Sequence, residues 1–120
     1  MKSLISKNIN SGSIIYNTMD EKPILTKVMG DYPLVRILDF LIYSRDFDYP
    51  ITEIAKNANV NFITLKKLWP KLKKDKIVIM TRTLGGSKLY KINISNPVVE
   101  NLIKFANSLC WKDVKIKKTI

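Results

Sequence analysis

Ile51-Thr52-Glu53-Ile54-Ala55-Lys56-Asn57-Ala58-Asn59-Val60-Asn61-Phe62-Ile63-Thr64-Leu65-Lys66-Lys67-Leu68-Trp69-Pro70-Lys71-Leu72 is the stretch on which the fold turns. Its apolar residues form two short helical sets with a break between them. Thr52 suits an N-cap, and Glu53 beside it favours the positive end of a helix. Ile54, Ala55 and Ala58 give that helix a buried side, which ends near Asn57 to Asn59. Val60 plugs a tight turn and Asn61 offers the next N-cap. A second helix is predicted over 62–74, with Leu65, Leu68 or Trp69, and Leu72 facing inward. Two short helices that cross at a wide angle need a small residue where they meet, and Ala55 supplies it.

Upstream, Leu34, Ile37, Leu38, Leu41 and Ile42 recur at the spacing of one amphipathic helix face. Asp31 offers its N-cap, Pro33 suits its first turn, and Asp46-Phe47-Asp48-Tyr49-Pro50 should stop it. Ile51 is then expected in a short β-bridge. A further short helix is expected from Pro23 to Met29, closed by Gly30. Downstream, Ile77 to Arg82 and Lys88 to Asn93 read as strands joined by a turn at Gly85-Gly86-Ser87, where positive φ angles are needed. A last helix opens at Ser95-Asn96-Pro97 and carries Val99, Leu102, Ile103, Ala106, Leu109 and Cys110 on one apolar face. The order is that of a winged helix-turn-helix: mainly α with a small β-hairpin, an α+β fold. The expected divisions are a flexible N-terminal arm over residues 1–22, the winged helix-turn-helix over 23–95, a C-terminal helix over 96–111 and a basic tail over 112–120.

The bulk composition narrows the function. A chain of 120 residues with 46% hydrophobic content has room for one core. No apolar run approaches the roughly 20 residues that span a bilayer, and residues 1–8 hold no continuous apolar stretch of the kind a secretory signal needs. The lone Cys110 has no partner for a disulfide, which fits a cytoplasmic location and a packing role. There is no histidine, so the usual base and the commonest transition-metal ligand are missing. Gly85-Gly86 lacks the spacing of a phosphate loop, and Asp46 and Asp48 beside Pro50 read as loop residues. No catalytic residue, metal or cofactor is expected.

Charge points to the partner. Ten Lys and Arg residues lie between Lys56 and Lys91, against a single acidic residue, Asp75. The segment therefore nets +9 of the chain's +11. Such a concentration on one helix and a hairpin is the footprint of a phosphate backbone rather than of general solubility.

Ile51 to Lys56, then Thr64-Leu65-Lys66-Lys67 to Leu72, then Lys76-Ile77-Val78, resembles the signature of archaeal and bacterial winged-helix transcriptional regulators of the MarR/ArsR-like group. Gly30 to Leu41 resembles the first helix of archaeal members. Gly86 to Asn93, followed by Asn96-Pro97-Val98-Val99, resembles their wing and final helix. The resemblance covers roughly residues 30–110. It implies a homodimer on double-stranded DNA, with the helix over 62–74 in the major groove and the wing over 77–93 on the backbone or minor groove.

Carried over by position, Asn61, Thr64, Lys66, Lys67 and Lys71 are the DNA-contact candidates of the recognition helix, and Arg82, Ser87 and Lys88 those of the wing. Lys73, Lys74 and Lys91 would add general attraction. Only three residues of the chain are Arg, which favours positioning over reading. Dimerisation is expected through Val99, Leu102, Ile103, Ala106 and Leu109. Trp69 is expected in the core, and the strand alternation leaves the side taken by the Tyr90 ring undecided. Pro70 should kink or break its helix between Lys66 and Pro70. The resulting expectation is a sequence-specific transcriptional regulator; the rivals are a low-specificity architectural binder and a protein–protein adaptor.

Overall fold

Apolar period and turn chemistry place the elements. The computed structural model of the chain describes residues 22–119, with side chains through Leu109. The arm expected over 1–22 thus lies, apart from Lys22, outside the described residues, as do the side chains of Cys110, Trp111 and the tail. In chain order the elements are α1 (Ile24–Met29), α2 (Pro33–Tyr43), α3 (Ile51–Ala58), α4 (Phe62–Lys74), β1 (Val78–Leu84), β2 (Ser87–Ile92) and α5 (Pro97–Thr119). The two strands pair antiparallel as one hairpin. This is a mainly helical winged helix-turn-helix.

Helix starts differ from expectation wherever proline takes over from a polar cap. Tyr32, not Asp31, is the N-cap of α2, because Pro33 sets the first helical φ one residue later. The Asp31 carboxylate instead accepts from Arg36 at 2.6 Å and pairs with Lys22 at 3.5 Å. Pro50, not Thr52, caps α3, and its carbonyl accepts from Glu53 N at 3.0 Å and Ile54 N at 3.1 Å. Ile51 is therefore the first residue of a helix and not a bridge partner. The bridge forms two residues earlier, where Tyr49 and Tyr90 exchange backbone hydrogen bonds of 2.9 and 2.8 Å.

Asn61 caps α4 as expected, with Oδ1 accepting from Ile63 N at 2.7 Å. Asn59 ends α3 in the left-handed conformation, φ 59°. The expected break at Pro70 does not occur: α4 continues through Lys74. Pro70 is exposed, so its ring occupies the solvent side of the helix rather than the core contact. Beyond it the helix closes normally, Asp75 N donating to Lys71 O at 2.9 Å. The helix α5 also runs past Trp111, where its end was expected, to Thr119.

The core draws on nearly every element. Leu25, Ile37, Leu41, Ile54, Leu65, Ile92 and Val99 are fully buried, and they come from α1, α2, α3, α4, β2 and α5. Trp69 joins them, and Tyr90 turns inward to meet it edge-on, ring centroids 5.3 Å apart at 86°. Below α4, Asn96 Nδ2 donates to Asp75 O and Lys76 O, and Asn93 Nδ2 donates to Lys76 O, which ties the end of α4 to the start of α5.

One buried charge holds α1 in place. α1 has no side-chain cap of its own. Asp39, on α2, supplies it from outside. Its carboxylate accepts from Leu25 N at 2.9 Å, Thr26 N at 2.7 Å and Thr26 Oγ1 at 2.7 Å. Burial pushes the Asp39 carboxyl above its ordinary pKa, while the three donors pull it back. A native pKa above the unfolded one makes this group's contribution to stability largest in acid and smaller as the pH rises through the native value. Asp39→Ala strands the three donors without an acceptor, so urea denaturation at neutral pH should show a loss of about 2–3 kcal/mol.

Candidate nucleic-acid interface

A helix with Leu65, Trp69 and Leu72 in the core turns its opposite face outward. At 3.6 residues per turn the middle of that outward face falls on Ile63, Lys67, Pro70 and Lys74, with Lys66 and Lys71 at its borders. All six are exposed. Thr64 sits at the edge of the buried side and is half-buried. The first turn carries its own contacts: Asn61 spends its side-chain oxygen on the cap, and the Lys66 ammonium lies 5.5 Å from the centre of the Phe62 ring. Lys71 pairs with Asp75 at 3.0 Å, yet its side chain is 80% exposed. An open i, i+4 pair of that kind is weak and exchanges readily for another anion.

The wing is built by its turn. Gly85 and Gly86 have φ of 56° and 84°, the left-handed pair that a two-residue hairpin loop matching strand twist requires. Ser87 and Lys88 follow at once on β2, both exposed. In β1 the register slips between Met80 and Arg82, leaving Thr81 as a bulge. Bulges re-aim side chains, and here Thr81 and Arg82 both reach Asp48 in the α2–α3 loop. Arg82 donates from Nε at 3.0 Å and from its terminal nitrogen at 3.2 Å to the two carboxylate oxygens, and the Thr81 hydroxyl donates to the same group. Arg82 holds the Asp48 carboxyl below its ordinary pKa, and Asp48 raises that of Arg82 in turn.

The eight DNA-contact candidates thus divide. Lys66, Lys67, Ser87 and Lys88 lie on the outward side of α4 or at the base of the turn without an intramolecular ion pair among the described residues, and Thr64 is half-buried at the edge of the inward side. Asn61, Lys71 and Arg82 each already hold a partner in the free chain. Between α3 and the wing a cleft opens, lined by Pro50, Ile51 and Thr52 on one side and by Gly86, Ser87 and Lys88 on the other. The sequence reading did not single out Ile63, although its place off the inward stripe was visible in the spacing. Asp48 was read only as a loop residue, and nothing local connects it with Arg82, 34 residues away.

The face of α5 assigned to dimerisation needs correction. Val99 and Ala106 are buried within their own chain, and Leu102, Ile103 and Leu109 pack partly against the same core. The exposed part of the apolar surface is the flanking stripe Val98, Leu102, Phe105 and Leu109, of which Val98 is 63% and Phe105 42% exposed while Leu102 and Leu109 are half-buried against the core. Its steps of four, three and four residues are those of a coiled-coil seam. Among the described residues no three His, Cys, Asp or Glu side chains gather as a metal site would need, and no helix is long and apolar enough to cross a membrane.

The Asp48–Arg82 contact sets the wing's position more than the fold's stability, since the Arg82 side chain is 58% exposed and water screens the pair. Asp48→Asn should leave the melting temperature near that of the unaltered chain while lowering the heteronuclear NOE of the amides of residues 80–88. Acid should do the same. Because the native pKa is held below the ordinary carboxylate value, the contact is whole at that ordinary value and is lost as the pH falls through the lower, native one. Unchanged wing dynamics in Asp48→Asn would remove the contact from this role.

No family model matches the chain. No curated protein matches it either. Among solved structures it is similar to Sso10a-2, a DNA-binding protein from Sulfolobus solfataricus, with a TM-score of 0.43 and 19% identity over 71% of this chain and 93% of that one. A likeness that loose assigns no family.

Proposed function

We propose that this chain is a cytoplasmic protein that binds double-stranded DNA, with α4 lying in the major groove and the wing against the backbone or the neighbouring minor groove. The observation that carries the reading is the outward face of α4. Lys66, Lys67, Lys71 and Lys74 line one side of a helix whose other side is locked into the core. Lys88 extends the charge onto the wing. Lysines so placed neutralise phosphates and release counterions, which makes binding fall steeply with salt.

The chain acts as a homodimer on this reading, joined along Val98, Leu102, Phe105 and Leu109 of α5. Two α4 helices related by a two-fold enter successive major grooves, so half-sites lie about 34 Å apart. The dimer is a site-specific transcriptional regulator.

A second reading has its own support. Arg82 is held by Asp48 and Asn61 by its cap, so two groups suited to polar base contacts are engaged elsewhere and lysine dominates what remains. Lysine positions a backbone better than it reads bases. A low-specificity architectural binder would present such a surface.

Selection of bound duplexes from a random pool at about 0.15 M salt separates the readings. The regulator yields a palindromic consensus. Tight binding at low salt with no enrichment supports the architectural binder instead. Absence of binding at any salt would contradict DNA binding and leave a protein–protein adaptor.

A further inference from the structure

In its first turn the outward face of α4 presents not a charge but an isoleucine. Ile63 is 65% exposed in the first turn, directly after the capping residue, and Phe62 beside it is 39% exposed. A β-branched apolar residue gains nothing from that position in the free chain. It loses rotamer freedom in a helix and buries little area. Around it stand Lys66 and Lys67, so the apolar group is ringed by charges that suit a polyanion and repel a basic partner.

The chemistry of the major groove narrows what such a group meets. The first residues of a groove-bound helix are the ones that reach base edges. Those edges offer donors and acceptors, and one apolar group, the 5-methyl of thymine. The polar side chains at this end are constrained, Asn61 by its cap and Thr64 by half-burial. Ile63 projects from the centre of the same surface, and Lys67 lies one turn further along it, placed for a phosphate.

We propose that Ile63 is a specificity-determining contact that reads thymine 5-methyl groups in the major groove. The proposal rests on the DNA-binding reading above and goes beyond it in naming the base and the group recognised. Lysines supply the attraction, which is independent of sequence. The isoleucine supplies a preference for steps that carry methyls along one groove wall.

The probes are duplexes of about 20 base pairs with identical phosphates, long enough to cover two groove segments. One alternates adenine and thymine, a second carries deoxyuridine at every thymine position, and a third and fourth alternate guanine with cytosine or with 5-methylcytosine. Binding is read by fluorescence anisotropy at about 0.05 M salt, where phosphate contacts are strong. The full chain should bind the thymine duplex about fourfold more tightly than the deoxyuridine duplex for each methyl engaged, the factor that follows from about 0.8 kcal/mol per buried methyl-sized group. The 5-methylcytosine duplex should likewise bind more tightly than its unmethylated counterpart.

Ile63→Ala, whose circular dichroism should match the unaltered chain because the side chain is exposed, should lose both preferences and keep the same salt dependence. Equal affinity of the full chain for the thymine and deoxyuridine duplexes would overturn the proposal while leaving DNA binding intact. A preference that survives Ile63→Ala would also overturn it, since the methyls would then act through duplex shape. No binding to any of the four duplexes would remove the DNA-binding reading and this one together.

Discussion

The edge-to-face contact between Trp69 and Tyr90 joins the two parts of the molecule that face outward. Trp69 belongs to α4 and Tyr90 to the second strand of the wing. The Tyr90 backbone is also the partner of Tyr49, which leads directly into α3. One residue therefore fixes the wing against both helices of the helix-turn-helix. Aromatic pairs in this edge-to-face arrangement add about 0.5–1.5 kcal/mol beyond the area they bury. More important than that increment is the geometry. With Trp69 inward, the helical repeat forces Ile63, Lys67, Pro70 and Lys74 outward, and the charged face is a consequence of the buried one.

This coupling explains how α4 carries a proline without losing continuity. Pro70 follows Trp69 and so falls on the side away from the core, and the carbonyl it leaves without a partner belongs to Lys66, itself an exposed residue. A proline at position 69 or 72 would have put the same deficit inside. The wing obeys a related constraint. Its bulge at Thr81 turns Thr81 and Arg82 toward Asp48, so the hairpin is braced on the α2–α3 loop as well as on Tyr90. The cost of the brace is that the wing's one guanidinium is engaged before any ligand arrives, and lysine is left as the free cation at its tip.

The helix-turn-helix and hairpin were legible because their signals are local. Apolar spacing, Asn61 as a cap and Gly85-Gly86 at a two-residue loop each act within a few residues. The failures came where proline competed with a polar cap, as at Tyr32 and Pro50, and where a partner was distant in sequence. Asp39 and Asp48 are both such cases: one caps a helix that precedes it by more than ten residues, and the other receives a strand far downstream. The face of α5 was misjudged for a third reason. Its apolar residues cover more than one side of the helix, and only the folded chain decides that Val99 and Ala106 face the core while Val98 and Phe105 do not. Of the candidate site, the lysines of α4 were evident from charge alone, whereas the engaged state of Arg82 depended on tertiary contact.

The central claim is that the surface shared by α4 and the wing tip is the one that meets DNA. Titration of the isotope-labelled full chain with a duplex of about 20 base pairs, followed by amide chemical shifts, tests it most directly. The largest changes should fall on residues 62–71 of α4 and on Gly85 to Lys88, with α1 and α2 nearly unmoved. Changes confined to α1 and α5, with α4 and the wing unaffected, would contradict it.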